Sequence, residues 1–129
     1  MPATEALDVD RLFVRAMNEG DIETIMSLYT EETAFVQAPG EPALTGLDNM
    51  RTLLLGFLDL GPTLRVELKQ FVQAGDIALF SVRWTMEGED KDGKAVTMTG
   101  ADANVVRGGP DGSWTTLIDN PFHEEFLRA

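Results

Sequence analysis

Met98, Gly100, Asp102 and Asn104 alternate along a strand-like run, and alternation puts their side chains, with that of Val96, on one face. A carboxylate beside a carboxamide is a pair that can do chemistry. The acid takes or gives a proton, and the amide donates a hydrogen bond to a carbonyl that is gaining charge. If this face lines a covered concavity, an unpaired Asp102 costs several kcal/mol unless its pKa moves or a partner is found. It then serves as a general base or as the anchor for a cationic group. The competing arrangement leaves Asp102 hydrated at an open rim or paired with an arginine such as Arg83. Gly100, lacking a side chain, leaves room for a ligand atom to approach the sheet.

Other chemistries lack their parts. There is no cysteine, so thiolate catalysis, disulfides and cysteine metal sites are excluded together. His123 is the only histidine, so no histidine pair exists to hold a metal, and no HExxH arrangement occurs. Ser27, Ser81 and Ser113 stand at no recognisable nucleophile turn. Gly108-Gly109-Pro110 joins strands instead of opening a helix, so neither a phosphate loop nor a dinucleotide fingerprint is present. What remains is cofactor-free and metal-free.

Ten basic against 22 acidic residues give a net charge of −12, a field that repels phosphate backbones and anionic lipid surfaces. Nucleic acid and membranes are therefore not expected partners; a neutral or weakly cationic small molecule is. At 129 residues the chain fits one domain with one core, 1–129. The N-terminal residues Met1 to Glu5 carry no basic region or apolar block, and the run Leu53 to Leu58 is far short of the ~20 residues that span a bilayer. A soluble cytoplasmic protein is expected.

The chemistry-bearing residues need elements to hold them. Thr4 is placed to cap a helix whose apolar positions, Leu7, Leu12, Phe13, Ala16 and Met17, recur at helical spacing until Gly20 ends it. Asp21 caps a second, short helix through Ile25, Leu28 and Tyr29, and 33–37 reads as a short strand. Thr45-Gly46 opens a third helix, with Asp48 in its first turn, that stops before Gly61-Pro62. From Thr63 the period becomes two. Leu64, Val66 and Leu68 alternate with Arg65, Glu67 and Lys69, and turns at Gly75-Asp76, 88–93 and 108–112 separate further strands over 77–86, 96–107 and 113–119. Three helices followed by a strand meander give an α+β fold, with the helices on one face of an antiparallel sheet.

This order, with the segments 18–23, 28–35 and 44–46, then Gly75-Asp76-Ile77, Val105-Val106-Arg107, Asp111-Gly112-Ser113-Trp114 and 118–122, resembles the NTF2-like superfamily. Within it, the SnoaL-like, YybH-type branch, often labelled ketosteroid isomerase homologues, is the nearest in pattern. The resemblance implies a strongly curved sheet and three N-terminal helices enclosing a cone-shaped pocket. It implies isomerase, cyclase or dehydratase chemistry, or a non-catalytic domain for ligand binding or protein association. It also implies a homodimer formed through the outer sheet face, which would carry Ile77, Leu79, Val105 and Trp114.

Residue by residue, the resemblance puts Phe13 where a ketosteroid isomerase has its tyrosine, Gln37 at its base and Asn104 at its oxyanion acid. The reaction of that enzyme needs a carboxylate base, a phenol and a protonated acid, and all three positions depart from it. The strand alternation leaves Asp102 as the base, and the resemblance directs Asp119 inward as a second catalytic carboxylate. A turn role for Asp119-Asn120-Pro121 competes with that placement. Phe13, Met17, Gln37, Trp84, Met98 and Asn104 are then the expected ligand-binding residues.

Overall fold

The first helix, α1, spans Asp8–Glu19 and buries Val9, Ala16 and Met17. Its N-terminus reverses the expected capping: the Asp8 carboxylate accepts from Thr4 N, Thr4 Oγ1 and Glu5 N. Gly20, at φ 69°, closes the helix with its N–H turned back on the last carbonyls. Asp21 then caps α2 (Ile22–Met26), its Oδ1 accepting from Thr24 N at 3.1 Å. The structure, a computed structural model, describes residues 3–128.

β1 (Ala34–Phe35) leads to α3 (Leu47–Leu58), and the strands follow as β2 (Thr63–Ala74), β3 (Ile77–Glu89), β4 (Ala95–Ala101), β5 (Ala103–Gly108) and β6 (Trp114–Asn120). The six strands form one sheet in the order β1-β6-β5-β3-β2, with β4 on the same edge of β3 as β5. The meander is antiparallel, but β1 pairs in parallel with β6, so the sheet is mixed. Two residues of β1 suffice, because Phe35 also bridges Leu44 and Val36 N donates to Asp119 O.

Two further differences from the sequence reading concern the ends of elements. A short fourth helix, α4 (His123–Arg128), follows Pro121, with Glu124 and Glu125 in its first turn where the helix dipole favours them. The single strand read over 96–107 is two, broken at Asp102. At the break Asp102 N still donates to Val82 O, but Val82 N donates to the Asp102 carboxylate instead of its carbonyl, which takes Ser81 Oγ. Side chain has replaced main chain in the ladder.

The same level of the sheet carries other irregularities. The β2–β3 register shifts between Leu68 and Gln70, and the β5–β6 register shifts between Val105 and Val106, opposite Ile118 and Thr116. An extra residue on one strand bends it and flips the faces beyond. Counting strictly back from an inward Asp119 puts Trp114 outside; the extra Leu117 turns it inside, where it packs against the core. Trp114 is therefore not part of the outer face. A row of paired apolar residues does cross that face: Val72 opposite Leu79, Leu79 opposite Val105, and Val105 opposite Ile118. Val72 is 54% exposed and Ile118 39%.

The core lies between this sheet and α1 to α3, and includes Met17, Ile25, Met50, Leu54, Phe80, Val82 and Val106. α3 is pinned at its exit, where Leu60 O accepts from Glu89 N at 2.9 Å and lies against Gly88. Among the described residues no helix is long and apolar enough to cross a membrane.

Candidate functional site

Inward-facing residues of α1, β3 and β5 and the two ends of the sheet leave a cavity of about 90 Å³ in the core. Phe80, Val82, Trp84 and Met86 alternate along β3 and supply one wall; Phe13 and Met17 of α1 supply another. Met98, Asp102, Asn104 and Asp119 line it too, so seven of the eight expected site residues meet at one place. Gln37 does not. Its Nε2 donates to Pro42 O at 2.9 Å, holding the Gly- and Pro-rich loop after β1, and the cavity wall there is Phe35.

Asp102 is 7% exposed and held by both oxygens: Oδ1 accepts from Val82 N at 2.7 Å and Oδ2 from Asn104 Nδ2 at 2.8 Å. Asn104 is fixed in turn, because its Oδ1 accepts from Asn120 N at 3.1 Å. Both bonds favour the carboxylate, yet burial outweighs them, and the nearby acids Asp119 and Asp10 add repulsion. The group is pushed up to about 7. Arg83 is no partner for it. Val82 and Trp84 face in, so Arg83 faces out, where it meets Glu124 at 3.5 Å.

Asp119 does turn inward. Its Oδ2 accepts from the Tyr29 hydroxyl at 2.7 Å, and β6 runs on through Asn120, so the competing turn role does not arise. Burial pushes its carboxyl up to about 6 against the Tyr29 bond, with Asp10 raising it further. Tyr29 is itself raised well above its ordinary value, first by burial and then by the Asp119 and Asp102 charges, so it stays a hydrogen-bond donor. The buried phenol comes from the segment after α2, not from the Phe13 position.

Three polar lining residues escaped the sequence reading, Tyr29, Asp10 and Thr116. Asp10 is pushed up to about 6 by burial, with Arg11 pulling the other way. Its signal was present, since 10, 13 and 17 fall on one helical face with Phe13 and Met17. Among 22 acidic residues, nothing in its type sets it apart from a solvated charge.

The space at Gly100 is not open to a ligand. A Cβ there would lie 2.9 Å from the Trp84 ring, which fills the position across the strand pair. Trp84 is anchored at its other end, with Nε1 donating to Pro121 O at 2.8 Å and its ring edge-on to Phe122 at 5.8 Å. His123, next in the chain, is not among the cavity-lining residues.

The SnoaL-like domain model matches residues 9–115. Comparison with curated proteins returns no match. Among solved structures, a ketosteroid isomerase-like protein from Erwinia carotovora atroseptica is similar at 22% identity and a TM-score of 0.73, covering 87% of this chain and 88% of that one. An NTF2-like superfamily protein from Salmonella enterica serovar Typhimurium aligns at a TM-score of 0.74 and 15% identity, over 88% of this chain and 84% of its own. An NTF2-like protein of unknown function from Shewanella oneidensis gives 0.72 at 18% identity, over 88% and 92%. At these identities the likeness speaks for the fold alone.

Proposed function

The chain belongs to the SnoaL-like domain family of the NTF2-like superfamily, and from that premise we propose that its cavity binds an apolar small molecule, neutral or weakly cationic, and moves a proton on it without a cofactor. The reaction class is isomerase, cyclase or dehydratase chemistry, with Asp102 as the base. The observation that carries this reading is a carboxylate, pushed up to about 7, lining an apolar cavity with its orientation locked from both sides. A base poised near neutrality both takes and returns a proton at working pH. Because Val82 N–H and Asn104 Nδ2 occupy one direction at each oxygen, a proton delivered to Asp102 arrives from the cavity side. The second N–H of Asn104 and the protonated form of Asp119, held in place by the Tyr29 hydroxyl, supply hydrogen bonds to charge developing on the substrate.

Carboxyl-carbon NMR tests this directly. Asp102 is expected to titrate near 7 in the free protein; a midpoint near the ordinary ~3.9 contradicts the reading. The Asp119 signal is expected to move in the same experiment, since neighbouring carboxyls titrate as a coupled set.

The outer face supports a second expectation, a homodimer through the sheet. The row Val72, Leu79, Val105 and Ile118, with Ile77 at 37% exposure beside it, forms an apolar patch that a second copy would cover. Light scattering is expected to give twice the 14.1 kDa chain mass, falling to one chain mass in Val72→Lys/Ile118→Lys. Both positions are exposed at the surface, so the double variant is expected to keep its fold.

A further inference from the structure

We propose that the cavity is selective for a ligand carrying a single ammonium group on a small apolar body, and that Asp10 is the group that pairs with that ammonium. The inference deepens the reading of the cavity as a ligand site, and rests on it, by naming the class of ligand.

The charges at the cavity come first. Its lining holds three carboxyls, Asp10 of α1, Asp102 at the β4–β5 break and Asp119 of β6, and no lysine, arginine or histidine. Asp102 and Asp119 have assigned partners within the protein. Tyr29 binds Asp119, and Val82 with Asn104 binds Asp102. Asp10 accepts no hydrogen bond from any described residue, although it faces the same cavity. Its one nearby cation is Arg11, which points the other way along α1, with Nη1 3.0 Å from Asp8. Asp10 is half-buried and faces an apolar wall, so its carboxylate is partly stripped of water and gains from a donor that a ligand brings.

The rest of the wall says what the donor is attached to. Phe13, Phe35, Phe57, Phe80, Trp84 and Phe122 present rings to the cavity, which suits a hydrocarbon body and attracts a cation to their faces. Among the described residues no three acids are arranged to hold a metal ion, so these carboxyls are not gathered around a common point as metal ligands would be. One ammonium answers both features: it gives Asp10 its donor and screens Asp102 and Asp119 from the third charge. The overall charge of −12 raises the local concentration of such a ligand.

Benzylamine and benzyl alcohol share a ring and a methylene and differ in charge, so they isolate the ammonium. Calorimetric titration of the purified protein at pH 8 is expected to give at least tenfold tighter binding for the amine. At pH 5 the amine must displace the proton from Asp10, whose carboxyl is pushed up to about 6, while Asp102 and Asp119 are also protonated and Arg11 keeps its charge. Amine affinity is therefore expected to fall about tenfold between pH 8 and pH 5, with the alcohol unchanged. Asp10→Asn is expected to remove the preference at pH 8, so that the amine binds no tighter than the alcohol in that variant. Because no described residue bonds Asp10, that variant breaks no hydrogen bond of the fold, and a far-ultraviolet spectrum with a melting curve verifies it. Amine binding no tighter than alcohol binding at pH 8, absence of binding included, overturns the inference. So does a preference that survives in Asp10→Asn. Neither result bears on the Asp102 titration, which tests the proton-transfer reading, so the two failures are distinguishable.

Discussion

Melting temperature is expected to fall by about 10 °C or more as the pH is raised from 5 to 8, the reverse of the usual gain away from acid. Three cavity carboxyls titrate above their ordinary value of 3.8 in the folded chain, Asp10 and Asp119 near 6 and Asp102 near 7. The unfolded chain gives up these protons near pH 4, whereas the folded chain keeps them until pH 6 to 7. In that window the native state binds more protons, so stability declines as pH rises, and the decline ends once the folded groups have ionised. Each group adds a slope of up to about 1.4 kcal/mol per pH unit. Coupling among them limits the sum to the order of 3–5 kcal/mol between pH 5 and 8. Asp21, Glu23, Glu67 and Asp111 are lowered first by hydrogen bonds from their partners, and Asp8 is lowered by its partners against a burial effect. These five act oppositely, but their stabilisation is present above their unfolded values and is lost only as pH falls below about 4. The optimum therefore lies near pH 4, where the two trends meet. Calorimetric scans across pH 4 to 8 check this, and a melting temperature that is flat or rises from 5 to 8 refutes it.

Gly88→Ala is expected to cost about 2–4 kcal/mol, the largest effect of adding one methyl group anywhere in the sheet. The new Cβ would lie 2.5 Å from Leu60 O and 3.0 Å from Leu60 Cβ. The carbonyl has nowhere to go, because it is the acceptor for Glu89 N and part of the chain that leaves α3. Relief requires the exit of α3 to lift from β3, which loosens the wall carrying Leu54 and Phe57. Gly56, inside α3, is the control: its added Cβ meets nothing within 4 Å, and Gly56→Ala is expected to stabilise by about 0.5–1 kcal/mol. Urea denaturation of the two variants separates the cases. Equal effects at the two positions would mean that α3 is not seated on β3 as described.

The order of elements was legible because it is written in local signals. Gly20, Gly75 and Gly112 adopt positive φ where turns were read, and the change of period at Thr63 coincides with the start of β2. The pocket face of 98–104 was legible for the same reason, as burial follows the alternation through Gly100, Asp102 and Asn104. What the alternation conceals is a register shift. Trp114 was assigned to the outer face because nothing local marks Leu117 as an extra residue, and the break at Asp102 is a choice between two acceptors for one N–H. Gln37 was placed by likeness, which ignores that its amide is needed in its own loop. Asp10 lies on α1, where an acid is ordinary, and Tyr29 in the segment after α2, and only the assembled fold turns them toward the same space.

Asp102 standing in for a main-chain acceptor has one more consequence. The Val82 amide proton is bonded straight to the carboxylate, so the electron density it feels changes whenever that carboxylate gains a proton. A backbone resonance in the middle of the sheet thus becomes an internal indicator of the charge in the cavity. Ionisation and ligand entry are both readable from a nitrogen-labelled sample, with no probe attached and no residue replaced.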